Sequence, residues 1–300
     1  MNKKQIIFLI SFIVIWAIVI GAVLIVRNVL DENNEENDEK AAISKRDSED
    51  KEDEVETEEV DEDEDKTELV EKDVEENIKN PIATIEVEKY GTIVVELNYD
   101  QAPESVKNFI ALANNGFYDG LTFHRVIDGF MIQGGDINGN GTGSATLGWI
   151  DSKIKKGSSD DTEYAIKGEF SENGVNNTLK FKRGVIGMAR SDYSSLGYIE
   201  EGYNSGSSQF FIMTDTTPSL DGLYAAFGEV TEGMDVVDKI AKVKVDENDK
   251  PINVPVIKSV RVKTDGKDYG LPNVLEPFDL TSKLIEMYGE WEWIEGIGDA

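Results

Sequence analysis

The chain has 300 residues, with 60 Asp and Glu against 30 Lys and Arg, one histidine and no cysteine. A net charge of −30 leaves no cationic surplus to neutralise phosphates, which argues against a nucleic-acid partner. Without cysteine there are no disulfide staples, thiolate metal sites or cysteine nucleophile.

Behind Lys3 and Lys4, Ile6 to Val26 run 21 residues without a charge. As a helix the run would be about 31 Å long, the thickness of a bilayer core. It ends in Leu24-Ile25-Val26-Arg27, a poor leader-cleavage site, so residues 1–27 are expected to be an uncleaved single-pass anchor. The positive-inside rule favours the N-terminus inside and the bulk of the chain outside the cytoplasm. From Asp31 to Asn80 there are 25 Asp and Glu against 7 Lys and Arg, with almost no aromatic content. Such a stretch cannot bury enough apolar surface to offset its ordering entropy, so residues 28–80 are expected to be a disordered acidic linker.

Folding is expected from Pro81. Ile82 to Lys89 and Thr92 to Asn98 alternate apolar and polar residues around Tyr90-Gly91 and predict a hairpin. Pro103 opens a helix with Val106, Phe109, Ile110 and Ala113 at i, i+3, i+4 and i+7, closed by Asn114-Asn115-Gly116. Short strands are predicted at Leu121 to Val126, Phe130 to Gly134, Val185 to Ala189, Gln209 to Met213, Ala225 to Val230 and Val256 to Lys263. A second helix is predicted from Met234 to about Val243. Many strands, frequent glycine turns and two helices point to a mainly β domain over 81–264, an antiparallel sheet or barrel. Two polar stretches, near 146–163 and 191–205, read as inserted loops. Residues 265–300 form an extension in which Leu280, Leu284, Tyr288 and Trp291 fall at helical spacings, either packed on the domain or offered to a partner.

Two runs carry the chemistry. Phe123-His124-Arg125-Val126-Ile127-Asp128-Gly129-Phe130-Met131-Ile132-Gln133-Gly134-Gly135-Asp136 and Ser208-Gln209-Phe210-Phe211-Ile212-Met213 mix large apolar side chains with a committed arginine or glutamine. A pocket for an apolar ligand that must also be hydrogen-bonded has that composition. Asp136-x-Asn138-x-Asn140-Gly141 imitates the start of a calcium loop, but the twelfth position is Leu147 where a bidentate glutamate is required, so no metal is expected.

With Gly184 to Arg190 and Leu220 to Val230, these runs resemble the cyclophilin family of peptidyl-prolyl cis–trans isomerases, in family order and at roughly family spacing. The resemblance covers about Ile82 to Lys263. It implies a closed eight-stranded antiparallel β-barrel capped by two α-helices, here in a bacterial, membrane-anchored member. It implies X-Pro bond rotation in unfolded or exported, proline-containing polypeptides. No bond breaks in that reaction, so no cofactor is expected. By resemblance Arg125 and Gln133 are catalytic, and Phe130, Met131, Ala189, Arg190, Gln209, Phe211, Leu220 and Tyr224 bind substrate. Arg190 stands where asparagine is frequent, and Tyr224 where histidine is. Ser219 takes the position of the tryptophan that grips cyclosporin in sensitive members, so weak cyclosporin binding is expected. His124 reads as structural, since rotation needs no proton transfer. The competing reading is a non-catalytic proline-peptide-binding or chaperone module at the cell envelope.

Overall fold

The computed structural model describes residues 80–150 and 161–288. The expected anchor and, but for its last residue, the expected linker lie outside them, as does Trp291. Among the described residues no helix is long and apolar enough to cross a membrane.

The alternation in the first hairpin becomes two strands, β1 (Ile82–Val87) and β2 (Gly91–Leu97). Their register pairs Ile85 with Ile93 and Ala83 with Val95, so the apolar set of both strands faces one interior. Six further strands extend this sheet: β3 (Arg125–Ile127), β4 (Met131–Gly134), β6 (Val185–Met188), β7 (Phe210–Met213), β8 (Ala226–Glu232) and β9 (Ile257–Lys263). The order is β3-β4-β7-β6-β8-β2-β1-β9, antiparallel throughout. The remaining pair, β5 (Ala165–Ile166) and β10 (Val274–Leu275), forms a separate two-stranded ribbon.

The expected closed barrel is not formed. The eight strands curl into a half-barrel whose edges, β3 and β9, form no ladder with each other; among the described residues the isolated Thr122–Val256 bridge lies just ahead of both. Phe123 N donates to Pro255 O (3.0 Å) and Ile257 N to Leu121 O (2.7 Å) on either side of it. β3 is three residues long, and Pro251 and Pro255 supply no N–H, so a continuous ladder cannot run between these edges. For the same reason only Arg125 and Val126 of the predicted strand Leu121 to Val126 lie in β3.

Both predicted helices are present: α1 (Pro103–Asn114) and, later in the chain, the helix Met234–Ala241. Three more join them. In chain order they are α2 (Leu147–Ile150) and α3 (Ile199–Tyr203) within the two inserted loops, and α5 (Leu280–Tyr288) in the extension, which makes Met234–Ala241 α4. α1 buries Val106, Phe109, Leu112 and Ala113 as its periodicity requires, while Ile110 is only half-buried. Ser105 and Asn108 are buried too, because each has a polar partner. Asn108 Nδ2 donates to Ser207 O (2.6 Å), and Tyr164 Oη donates to Asn108 Oδ1 (2.6 Å).

The first turn of α1 is capped from a distance. The buried Glu169 carboxylate accepts from the amides of Glu104 and Ser105 (both 2.8 Å) and from Ser105 Oγ (2.7 Å). Burial pushes the Glu169 carboxyl above its ordinary value, and these donors oppose the rise. The folded state therefore holds its proton to higher pH than the unfolded chain does. This stabilising contribution is complete below the unfolded pKa and is lost as pH rises through the folded one. In chemical denaturation, the stability of wild type relative to Glu169→Gln should decline as pH is raised through that window. An increase instead would mean that the helix amides outweigh burial.

The extension binds back onto the domain. Tyr269 packs edge-on against Tyr99 (4.9 Å), Asn273 Nδ2 donates to Glu104 Oε1 (3.1 Å), and β10 pairs with β5. Phe278 then sits against Tyr198 (4.8 Å) and Tyr193 (5.5 Å) of the second inserted loop.

Candidate active site

Strand alternation divides the sheet into two faces. Phe210 and Ile212 of β7 enter the main core, where Phe210 meets Phe109 and Tyr118 edge-on at 5.5 Å each. Phe211 and Met213 face the other way, into a smaller cluster with Met131, Phe181, Val185 and Ala226. Phe130, Ala189, Leu220 and Tyr224 pack against this second cluster, half-buried, and form its open side.

The register lines up the polar groups with it. Arg125 of β3 pairs with Gln133 of β4, Gln133 with Phe211 of β7, and Phe211 with Gly187 of β6. Directly paired residues share a face, so the guanidinium, the amide and the aromatic ring stand in one row across three strands. Arg125 Nη1 lies 3.5 Å from Gln133 Oε1, a contact at the long limit of a hydrogen bond. Gln133 Nε2 donates to Gln209 Oε1 (2.9 Å), and Gln209 Nε2 donates to the carbonyls of Gly141 (3.1 Å) and Gly143 (2.9 Å). Behind this chain, Tyr118 Oη donates to Ser208 O (3.1 Å) and Ser208 Oγ to Gly135 O (2.8 Å), anchoring the backbone that carries Gln209.

The floor of the slot is aromatic. Phe181 stacks on Phe211 with centroids 5.6 Å apart, and Tyr224 meets Phe211 edge-on at 5.8 Å. Gly187 makes this possible, because a Cβ there would lie 2.6 Å from Phe181 Cε1 and 2.7 Å from Phe211 Cζ. Leu220 ends a short 3-10 turn, Pro218–Leu220, and Ser219 is exposed on the same turn. Asp221 Oδ1 accepts from Phe181 N (2.8 Å), tying that turn to the aromatic floor.

All ten residues expected at the site are described. Nine of them form the row, the slot and its rim. Arg190 is placed differently: its guanidinium lies over the rings of Tyr224 (4.5 Å), Tyr203 (5.0 Å) and Phe170 (5.6 Å). Its Nε donates to Leu223 O and its Nη1 to Ser191 O, both 2.9 Å. It thus braces Tyr224 through a cation–π contact, while Ala189, whose amide donates to Gln209 O (2.9 Å), packs against the second cluster. Phe181 and Gly187 were not singled out from sequence. Phe181 sits in Leu179-Lys180-Phe181-Lys182, whose brief alternation was the only signal.

His124 is buried, and burial lowers its pKa below the ordinary imidazole value, which keeps it neutral. The Asp136 carboxylate organises its own loop. It accepts the amides of Asn138 (2.8 Å), Asn140 (2.7 Å), Gly141 and Gly143 (2.9 Å), so the calcium-like spacing serves a turn.

Comparison with known proteins agrees with this geometry. The family model for cyclophilin type peptidyl-prolyl cis-trans isomerase/CLD matches residues 82–262. The chain is 38% identical over 161 residues to a peptidyl-prolyl cis-trans isomerase-like 1 protein of Rhizopus delemar, covering 53% of this chain and 80% of that protein. It is 40% identical over 168 residues to a peptidyl-prolyl cis-trans isomerase of Helicobacter pylori, covering 55% of this chain and 83% of the relative. Among solved structures, a cyclophilin type isomerase from Cryptosporidium parvum superposes with a TM-score of 0.50 at 28% identity, over 62% of this chain and 98% of that one. An open apolar slot bordered by one guanidinium and two amides, on a curled eight-stranded sheet that lies, but for Lys263, within the match to one family, identifies the chain as a cyclophilin-type peptidyl-prolyl cis–trans isomerase.

Proposed function

We propose that the isomerase acts by holding a proline ring in the Phe130–Met131–Phe211–Leu220 slot while Arg125 donates a hydrogen bond to the proline nitrogen as the amide twists. The nitrogen lone pair is delocalised in the planar amide and becomes an acceptor only on rotation. A donor aimed there stabilises the twisted state selectively, which is the condition for lowering a barrier. Gln133 steadies the guanidinium and hydrogen-bonds the substrate backbone, and Gln209 holds Gln133. The observation that carries this reading is the cross-strand row Arg125–Gln133–Phe211, which sets a charged donor at the edge of an apolar floor. The test is X-Pro exchange catalysed by the full-length chain and by Arg125→Ala; equal rates would remove the mechanism.

The charge-free run Ile6 to Val26 and the acidic stretch after it support an anchored enzyme whose domain works on exported or unfolded chains outside the cytoplasm. Protease added to intact cells should degrade the domain and leave a short N-terminal fragment with the membrane. A domain protected in intact cells and cleaved only after lysis would reverse the orientation.

Cyclosporin should inhibit weakly, because exposed Ser219 offers neither the ring surface nor the N–H of an indole. Ser219→Trp should tighten inhibition roughly tenfold or more, the scale of an aromatic anchor at an interface. Tight inhibition of the wild-type chain would show that the turn contributes little to drug binding.

A further inference from the structure

The segment Asp246-Glu247-Asn248-Asp249-Lys250-Pro251 plays no part in the slot, yet its tip reaches the reacting arginine. Val245 and Pro251 bridge across it, and Asp246 N donates to Lys250 O (2.9 Å). Asp246 Oδ1 accepts the amides of Asn248 (2.8 Å) and Lys250 (3.0 Å), so the turn is braced from within. At its tip Asp249 has φ of +61°, a left-handed backbone that non-glycine residues other than Asn and Asp rarely adopt. Val126 N donates to Asp249 O (2.9 Å), fastening the tip to β3 one residue after Arg125. The outcome is an ion pair: Asp249 Oδ2 stands 3.6 Å from Arg125 Nε. Gln133 meets Nη1 of the same guanidinium, and among the described residues Nη2 makes no hydrogen bond.

We propose that Asp249 is a positioning residue for Arg125 that also sets the charge preference of the site. It fixes the guanidinium between two partners with one edge left for the substrate, and it cancels a charge that would otherwise draw acidic chains. This rests on Arg125 being the donor. An arginine side chain loses much rotamer freedom when it engages a ligand, and a partner that orients it beforehand removes part of that loss from the reaction. An unpaired guanidinium also acts on substrate charges within about 8–10 Å at ordinary ionic strength.

The experiment measures kcat/KM by NMR exchange on two X-Pro peptides that differ only in carrying Lys or Glu after the proline. The proteins are full-length wild type, Asp249→Asn, Asp249→Gly and Arg125→Ala, each at low salt and at roughly 0.5 M salt. Asn and Gly both accept the left-handed backbone, so Asp249→Asn should fold with an unchanged melting temperature. It should lose about threefold in kcat/KM on the Lys peptide, the scale of a half-exposed ion pair. On the Glu peptide it should lose less or gain, and the gap between the peptides should close at high salt. Asn and Gly variants that both match wild type on both peptides would overturn the proposal, leaving Asp249 a turn former. So would an equal loss on both peptides at both salts, which is what altered packing alone produces. If Arg125→Ala keeps wild-type activity, the donor reading fails and this inference with it. If Arg125→Ala is inactive while Asp249→Asn is wild type, this inference alone fails.

Discussion

Arg125→Ala should lower kcat/KM for X-Pro rotation about a hundredfold while leaving the melting temperature nearly unchanged. Uncatalysed rotation crosses a barrier of roughly 18–20 kcal/mol and takes tens to hundreds of seconds. Reaching milliseconds requires about 10⁴ to 10⁵ in rate, or some 5.5–7 kcal/mol. In the proposed mechanism a hydrogen bond from a charged donor in a desolvated site supplies ~3 kcal/mol of that, which sets the size of the expected loss. The slot must supply the rest by desolvating the amide and holding the ring. Because the bond forms only as the amide twists, the loss should fall on kcat with KM little changed. Stability should survive, since the Arg125 side chain is 43% exposed and its ion pair with Asp249 is long at 3.6 Å. Arg125→Lys keeps the charge but not the planar fork, and should recover only part of the rate. A loss carried by KM alone would assign Arg125 to uniform substrate binding.

Gly187→Ala should damage both fold and activity, although residue 187 is buried and has no side chain to carry chemistry. Its Cβ would come within 2.7 Å of two rings, Phe181 and Phe211, which are already stacked on each other. Overpacking of this kind costs about 1–3 kcal/mol, which a denaturation midpoint reads directly. The easier escape is for the half-open cluster to yield, moving Phe211 out of the row it shares with Gln133 and Arg125. Misplacing a positioning ring by about 1 Å can cost on the order of a hundredfold in rate. Adding Phe181→Ala to Gly187→Ala should restore part of the activity by vacating the contested space. A Gly187→Ala variant with wild-type stability and rate would show that the Phe181–Phe211 stack does not set the slot's floor.

Much of the sheet was legible, β1, β2 and β9 from alternation with one face buried, and β6 and β7, buried on both faces, as short continuous apolar runs. β1, β2, β4, β6, β7, β8 and β9 each fall within two residues of their predicted bounds at either end. The two-residue strands β5 and β10 were not, since two residues carry no period. The single-turn helices in the inserted loops are equally short of a signal. On α1 the periodicity placed Ile110 inward, yet buried Ser105 and Asn108 take part of that face. Their partners, Glu169, Ser207 and Tyr164, lie more than fifty residues away, beyond the reach of any local pattern.

The residue types of the site were readable from two short runs, because an arginine or glutamine among large apolar residues has few structural uses. Four outcomes lay beyond them: the turn of Arg190 into an aromatic box, the hidden floor at Phe181 and Gly187, the approach of Asp249 to Arg125, and the open half-barrel. Each depends on contacts between segments far apart in the chain. Local sequence determines which face of a strand a side chain takes, since the period of two is built into the backbone. Only packing decides which distant segment meets that face, because close-packed interiors accept the arrangement whose shapes and polar partners fit together.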